Sequence, residues 1–214
     1  MATETKAFGL RARRSDIGGH APTNTVRLPV TAGSNTVIYK GDVVELDSNG
    51  SVAGVLTNTN TAQDTNAIMG AVAQCCYIDT VTGRPMFDKV LPASTAAGAV
   101  VDGTATPWVD VEMSQVGLFE VLSLASGTAS LTAANSVGKF FGLITNGTPD
   151  SVMKQSAVQL QPLSGSTYGV TAGGSTSASD RVVQVVGLAN EPNNNWGDSY
   201  LKLVVRFVKT PINQ

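Results

Sequence analysis

Charge is scarce in this chain: Asp, Glu, Lys and Arg together make up 14% of 214 residues, and the formal net charge is −2. A nucleic-acid binder ordinarily carries a basic stripe that displaces counterions from phosphates, so nucleic acid is not an expected partner. Long apolar runs are missing too. None approaches the ~20 residues that a membrane-spanning helix needs, and no membrane partner is expected. The opening stretch "MATETKAFGLRARRSDIGG" lacks the uninterrupted apolar segment of a secretory signal, which makes folding in a cytoplasm the default expectation. Cysteine occurs only as the adjacent pair Cys75 and Cys76. Neighbours on a strand point to opposite faces, so a bridge between them would need a strained peptide, and both thiols are expected to be free.

The groups that carry chemistry are equally thin. The single histidine, His20, sits between Gly19 and Ala21 in a basic stretch with no apolar pocket around it, a poor place for a general base. Two adjacent cysteines and one remote histidine cannot surround zinc tetrahedrally. "GSTYG" has Thr167 where a nucleophile elbow needs serine, and its Ser-rich surroundings lack the strand-to-helix context of such an elbow. "DTVTG" and "DSNG" are fragments of calcium loops without the alternating oxygens and closing glutamate, and read as turns. "GVTAGGS" has no following lysine or helix pattern to make a phosphate cradle. No catalytic residue, metal site or cofactor is expected, and the chain is not expected to be an enzyme.

What is present is small and β-forming: Gly, Ser, Thr, Asn and small apolar residues in runs that alternate with period two. Asn49-Gly50 stands between the runs "TVIYKGDVVELD" and "SVAGVL", which is the strongest short hairpin signal available. A second hairpin is expected from Ile68 to Ile78 and Pro85 to Leu91, turning through Asp79 to Gly83. Two more strands flank Ser114-Gln115, another lies in "VGKFFGLI", and the last pair is "RVVQVVGLA" with "SYLKLVVRFVK". In that final strand Leu201, Leu203, Val205 and Phe207 share one face, which is expected to be core. A short helical turn is expected near Thr132 to Ser136, with Thr as its cap. The expected fold is therefore all-β: an antiparallel β-sandwich or partly open β-barrel built from hairpins, occupying residues 31–214 as one body. The stretch 162–180 is mostly Ser, Gly and Thr and reads as a flexible surface excursion of that body. Trp196, in the loop "NEPNNNWGDS", is the expected loop anchor, its ring packed on the sheet.

Charge is unevenly spread. Through Val30 there are five basic residues (Lys6, Arg11, Arg13, Arg14, Arg27) and two acids (Glu4, Asp16), a balance of +3 that leaves −5 for the remainder of a chain whose total is −2. A basic, Gly-containing segment with little apolar periodicity reads as an extended N-terminal arm over residues 1–30, unable to bury itself in its own domain. On this reading the five basic residues are candidates for contact with a partner's acidic surface, and the body folds without residues 1–20.

Several stretches taken in order, "GAVAQCCYIDTVTGRPMFDKVLPAST", "VDVEMSQVGLFEVLSL", "SVGKFF" and "VVQVVGLANEPNNNWGDSYLKLVVRFVK", resemble tailed-bacteriophage proteins that decorate the capsid head. The likeness spans roughly Gly70 to Lys209. It implies a cement protein made in the host cytoplasm and bound on the capsid surface of the virion. Its implied partners are the major capsid protein and neighbouring copies of itself, as a dimer or trimer on the shell. No active site comes with the family. The alternative is a virion-displayed binding module, a fibre or tail component whose polar loops recognise a receptor or carbohydrate.

Overall fold

A computed structural model describes residues 6–13, 25–30, 37–47, 49–55, 68–79, 81–93, 97–98, 107–113, 117–123, 131–145, 148–161 and 182–208. Arg14, His20, the Ser114-Gln115 turn, Thr167 and the 162–180 excursion lie outside the described residues. The chain is all-β. In order it forms β1 (Arg11–Arg13), β2 (Thr25–Pro29), β3 (Ile38–Tyr39), β4 (Val43–Leu46), β5 (Val52–Val55), β6 (Ile68–Asp79), β7 (Pro85–Asp88), β8 (Val90–Leu91), β9 (Ala97–Gly98), β10 (Trp108–Met113) and β11 (Leu118–Leu122). The four-residue helix α1 (Ala133–Ser136) follows, then β12 (Phe140–Thr145), β13 (Val158–Gln161), β14 (Val183–Leu188) and β15 (Lys202–Phe207).

Two sheets carry the body, with every strand pair antiparallel. One runs β1-β11-β15-β14-β12-β13; the other runs β2-β10-β6-β4-β5, with β7 and β9 also on the long strand β6. Both curl. A parallel bridge between Val30 and Val52 brings the two ends of the second sheet together, and another between Ser123 and Leu160 joins β11 to β13 in the first. Register shifts at Asp110/Val111, Val44/Glu45 and Glu45/Leu46 put bulges into the second sheet, and such bulges sharpen strand bending and let a short sheet close on itself. The body is thus built of antiparallel sheets, one of them curled into a half-barrel, packed around two cores.

The period-two pattern of β4 and β6 decides how those cores are arranged. Val43, Ile68 and Ala71 enter the first core, with Phe119, Phe141, Leu160 and Leu203; Val44, Met69, Val72 and Cys75 enter the second, with Leu28, Val109 and Val111. β4 and β6 are therefore apolar on both faces and form the wall shared by the two cores, which is why "GDVV" and "AIMGAVAQCC" show no polar alternation. β3 and β8 add Ile38 and Leu91 to the second core.

The hairpins fall where turn chemistry placed them. Asp47 carbonyl accepts from Gly50 N–H at 3.1 Å, the Asp47 carboxylate accepts from the backbone N–H groups of Asn49 and Ser51, and Gly50 takes φ +77°. The second hairpin turns on Asp79, whose carbonyl accepts from Gly83 N–H at 2.7 Å while its carboxylate accepts from Thr82 Oγ1 at 2.7 Å. Thr132 caps α1 in a reciprocal box with Asn135. β15 lies between β11 and β14, and Leu201, Leu203, Val205 and Phe207 are all buried.

One boundary needs correction. Residues 6–13 and 25–30, expected in an extended arm, are built into the body. Phe8 and Leu10 are each 3% exposed, β1 pairs with β11 (Arg11 opposite Glu120), β2 pairs with β10, and Leu28 and Val30 belong to the second core. Two apolar residues at i and i+2 are enough to seat a short edge strand, even inside a basic run.

Candidate interaction surface

The described basic residues of the N-terminal segment, Lys6, Arg11, Arg13 and Arg27, are engaged within the chain. Lys6 Nζ lies 3.3 Å from Asp150, Arg13 Nε lies 3.6 Å from Glu120, and Arg27 Nε donates to Asp110 at 3.0 Å. The Arg11 guanidinium stacks over the Phe8 ring at 4.5 Å, and that of Arg27 sits 5.0 Å from the Trp108 ring. The Asp110 hydrogen bond is the main reason that Arg27 holds its proton more firmly than a free arginine. Arg11 and Arg13 stand on the first sheet and Arg27 on the second, so the structure does not gather them into one patch.

Trp196, partly buried, packs against the first core. The side chain that closes its loop is Asn194, which sequence reasoning passed over. Its amide nitrogen donates to the carbonyls of Ala189 at 2.8 Å and Lys202 at 2.9 Å, and its oxygen accepts from Lys202 N–H at 3.0 Å. A buried amide with its donors and acceptor used in this way fixes the β14–β15 connection. Asn193 beside it adopts φ +62°, which asparagine tolerates better than most residues.

A second buried polar group lies where three remote segments cross. Asp42, 4% exposed, accepts from Tyr39 N–H at 2.7 Å and from the Ser156 hydroxyl; burial outweighs these bonds and pushes its carboxyl up to about 6. Around it Gly41 N–H donates to Val72 O, Val72 N–H to Asp42 O, Leu10 N–H to Gly41 O and Ser156 N–H to Lys40 O. The carboxylate therefore sits inside a knot of backbone bonds tying β1, β4, β6 and β13 together.

From that knot a groove opens on the surface. Lys40 N–H donates to Lys89 O at 2.7 Å and Lys40 O accepts from Ser156 N–H at 3.1 Å, so one residue staples the end of the β6–β7 hairpin to the 148–156 turn. Asp150 shapes that turn: its carboxylate accepts from the backbone N–H groups of Val152 and Met153, both at 2.9 Å, and the Met153 bond is the main reason its pKa is lowered. Lys154 closes the turn at φ +54° and bonds Asp88 across the groove. The result is an open depression of about 430 Å³ floored by Ala73 and Gln74 and walled by Phe87, Val152 and Met153, with Lys40, Lys89 and Lys154 around it.

Its apolar walls are held out in water: Phe87 is 60% exposed, Met153 53% and Val152 86%. Val152 and Met153 stand in the turn capped by Asp150, and Phe87 on β7. Among the described residues, Lys40 and Lys89 form no salt bridge, and Asp88 is the one acid lining the groove. The arrangement offers apolar contact and positive charge together. It brings together no catalytic constellation, and among the described residues no three His, Cys, Asp or Glu side chains gather as metal ligands would. Among the same residues no helix is long and apolar enough to cross a membrane. No family model, curated protein or solved structure matches the chain.

Proposed function

We propose that this protein is a structural component of a tailed-phage virion, bound to the outside of the capsid, where it cements the shell without catalysing a reaction. The observation that carries the reading is the lysine-rimmed groove with Phe87, Val152 and Met153 held in solvent, since rigidly presented apolar side chains serve a protein that docks on another. The order of sequence stretches that resembles capsid decoration proteins supports the choice of partner, the major capsid protein, with further copies of the chain as neighbours on the shell. The single bridges from Val30 to Val52 and from Ser123 to Leu160 draw sheet edges together, which suits a protein exposed for the life of a particle, because an unpaired edge invites fraying and aggregation. Many weak copies then act together, so that internal pressure must break many contacts to open the shell.

Quantitative mass spectrometry of purified particles tests this reading. A cement is present in hundreds of copies per particle, a number set by the order of shell sites. A handful of copies would move the protein to a fibre or tail, and its absence from particles would end the virion reading.

A further inference from the structure

The groove has two properties that do not usually coincide on a surface that faces only water. Its apolar walls are presented by strand β7, which holds Phe87 opposite Cys76 of β6, and by the turn that Asp150 caps at Val152 and Met153. Its charge is one-sided: three lysines against Asp88, whose carboxylate is already taken by Lys154. Glu112, which feels the charge of Lys40, is itself half-buried and bonded to Ala12 N–H. Lys40 and Lys89 thus project positive charge beside exposed Phe87 and Met153 on a chain that is net acidic overall.

We infer that this groove is a docking site for a short acidic-apolar peptide segment of a partner protein, with apolar side chains seated between Phe87 and Met153 and carboxylates paired with Lys40 and Lys89. Charge complementarity decides the occupant: a basic or neutral segment would leave both ammonium groups facing a covered interface without partners. Apolar burial supplies most of the affinity. The lysines set specificity, on-rate and salt dependence. A groove of this size holds two or three side chains, so the segment is short and its single-copy affinity weak. The inference rests on reading the groove as an interface and does not need the partner to be a capsid.

Three synthetic twelve-residue peptides test it against the full chain: one alternating Asp and Glu with Val, Leu and Phe, one with every acid replaced by Lys, and one with every apolar residue replaced by Ser. Binding is followed by calorimetry, and the site by amide chemical shifts. The acidic-apolar peptide should bind, shift Phe87, Lys89 and Met153, and weaken as salt rises, while both controls bind at least about tenfold more weakly. Lys40→Ser with Lys89→Ser should weaken it about tenfold. Phe87→Ser should do so at constant salt dependence; both sites are exposed, so these variants should stay folded. Equal binding of the lysine peptide, equal binding of the serine peptide, indifference to the variants, or no binding up to about 1 mM would each overturn the inference. So would a concentration-dependent dimer that Phe87→Ser abolishes, since the occupant would then be a second copy. Peptide binding by a protein that never joins particles would leave the inference standing and refute the capsid reading. Particle binding without peptide binding would do the reverse.

Discussion

Gly9 and Gly41 lie backbone to backbone. A β-carbon placed on Gly9 would stand 2.5 Å from the Gly41 carbonyl oxygen and 2.6 Å from Ser156 Cβ, and one on Gly41 would stand 2.6 Å from Phe8 O. Both residues have positive φ, +73° and +88°, and Leu10 N–H donates to Gly41 O at 2.9 Å. This close approach locks the N-terminal segment onto the wall shared by the two cores.

Gly9→Ala should therefore destabilise the whole body, through left-handed strain and a clash with backbone that has no room to move, by roughly 2–4 kcal/mol. Removing residues 1–13 should cost more, since Phe8 and Leu10 leave the core at about 1.5–3 kcal/mol each. Urea unfolding of both variants checks this. A truncated protein as stable as the full chain would restore the picture of a detachable arm.

Asp42 makes stability depend on pH in an unusual direction. Its folded-state pKa of about 6 lies above the ordinary carboxyl value, so the native state binds the proton more tightly than the unfolded chain does. The contribution is fully present below pH ~4 and is lost as pH rises through about 6, to the extent of about 3 kcal/mol. Asp42→Asn keeps an acceptor for Tyr39 N–H and removes the titration, so its unfolding free energy should vary less between pH 4 and pH 7 than that of the parent. Parallel pH profiles for the two proteins would contradict the assignment.

Both cysteines are buried and free, and burial raises the pKa of each thiol. Neither should react with a thiol reagent at pH 8 until denaturant is added. Cys75 fills the second core and Cys76 lies beside the Trp108 indole N–H, which has no nitrogen or oxygen acceptor. Replacing both with Ala should cost on the order of 1–3 kcal/mol in chemical unfolding and leave association with particles intact. Loss of association by a still-folded double variant would reveal a role for the thiols that packing does not provide.

Asn194→Ala removes three hydrogen bonds that tie Ala189 O and the Lys202 backbone to the loop, for a loss of about 2–4 kcal/mol. Hydrogen exchange should speed up first at Lys202 and Leu203. Unchanged exchange there would show that the loop is held by Trp196 alone.

The parts of this fold that were legible in the sequence are those written locally. Asn49-Gly50, the Asp79–Gly83 turn, the Thr132 cap and the alternating face of β15 each occupy a few consecutive residues whose chemistry is decisive by itself. Sheet membership was not legible, because β10 and β11 follow each other in sequence yet join different sheets, a choice made by remote partners. Phe8 and Leu10 were hidden by the arginines around them. Asp42 acquires its environment from segments near positions 9, 41, 72 and 156, and no short window contains them. The groove was invisible for a related reason: no local signal sets Phe87 and Met153 apart from other apolar residues, and their exposure follows from where β7 and the Asp150 turn lie.

The measurement that bears most directly on the account is occupancy of capsid shells lacking this protein, after addition of the purified parent and of the Phe87→Ser, Met153→Ser double variant. The account predicts that the parent fills the shell and that the variant, with unchanged unfolding free energy, binds at least about tenfold more weakly. Equal occupancy by a folded variant would show that the Phe87–Met153 groove is not the surface that meets the shell.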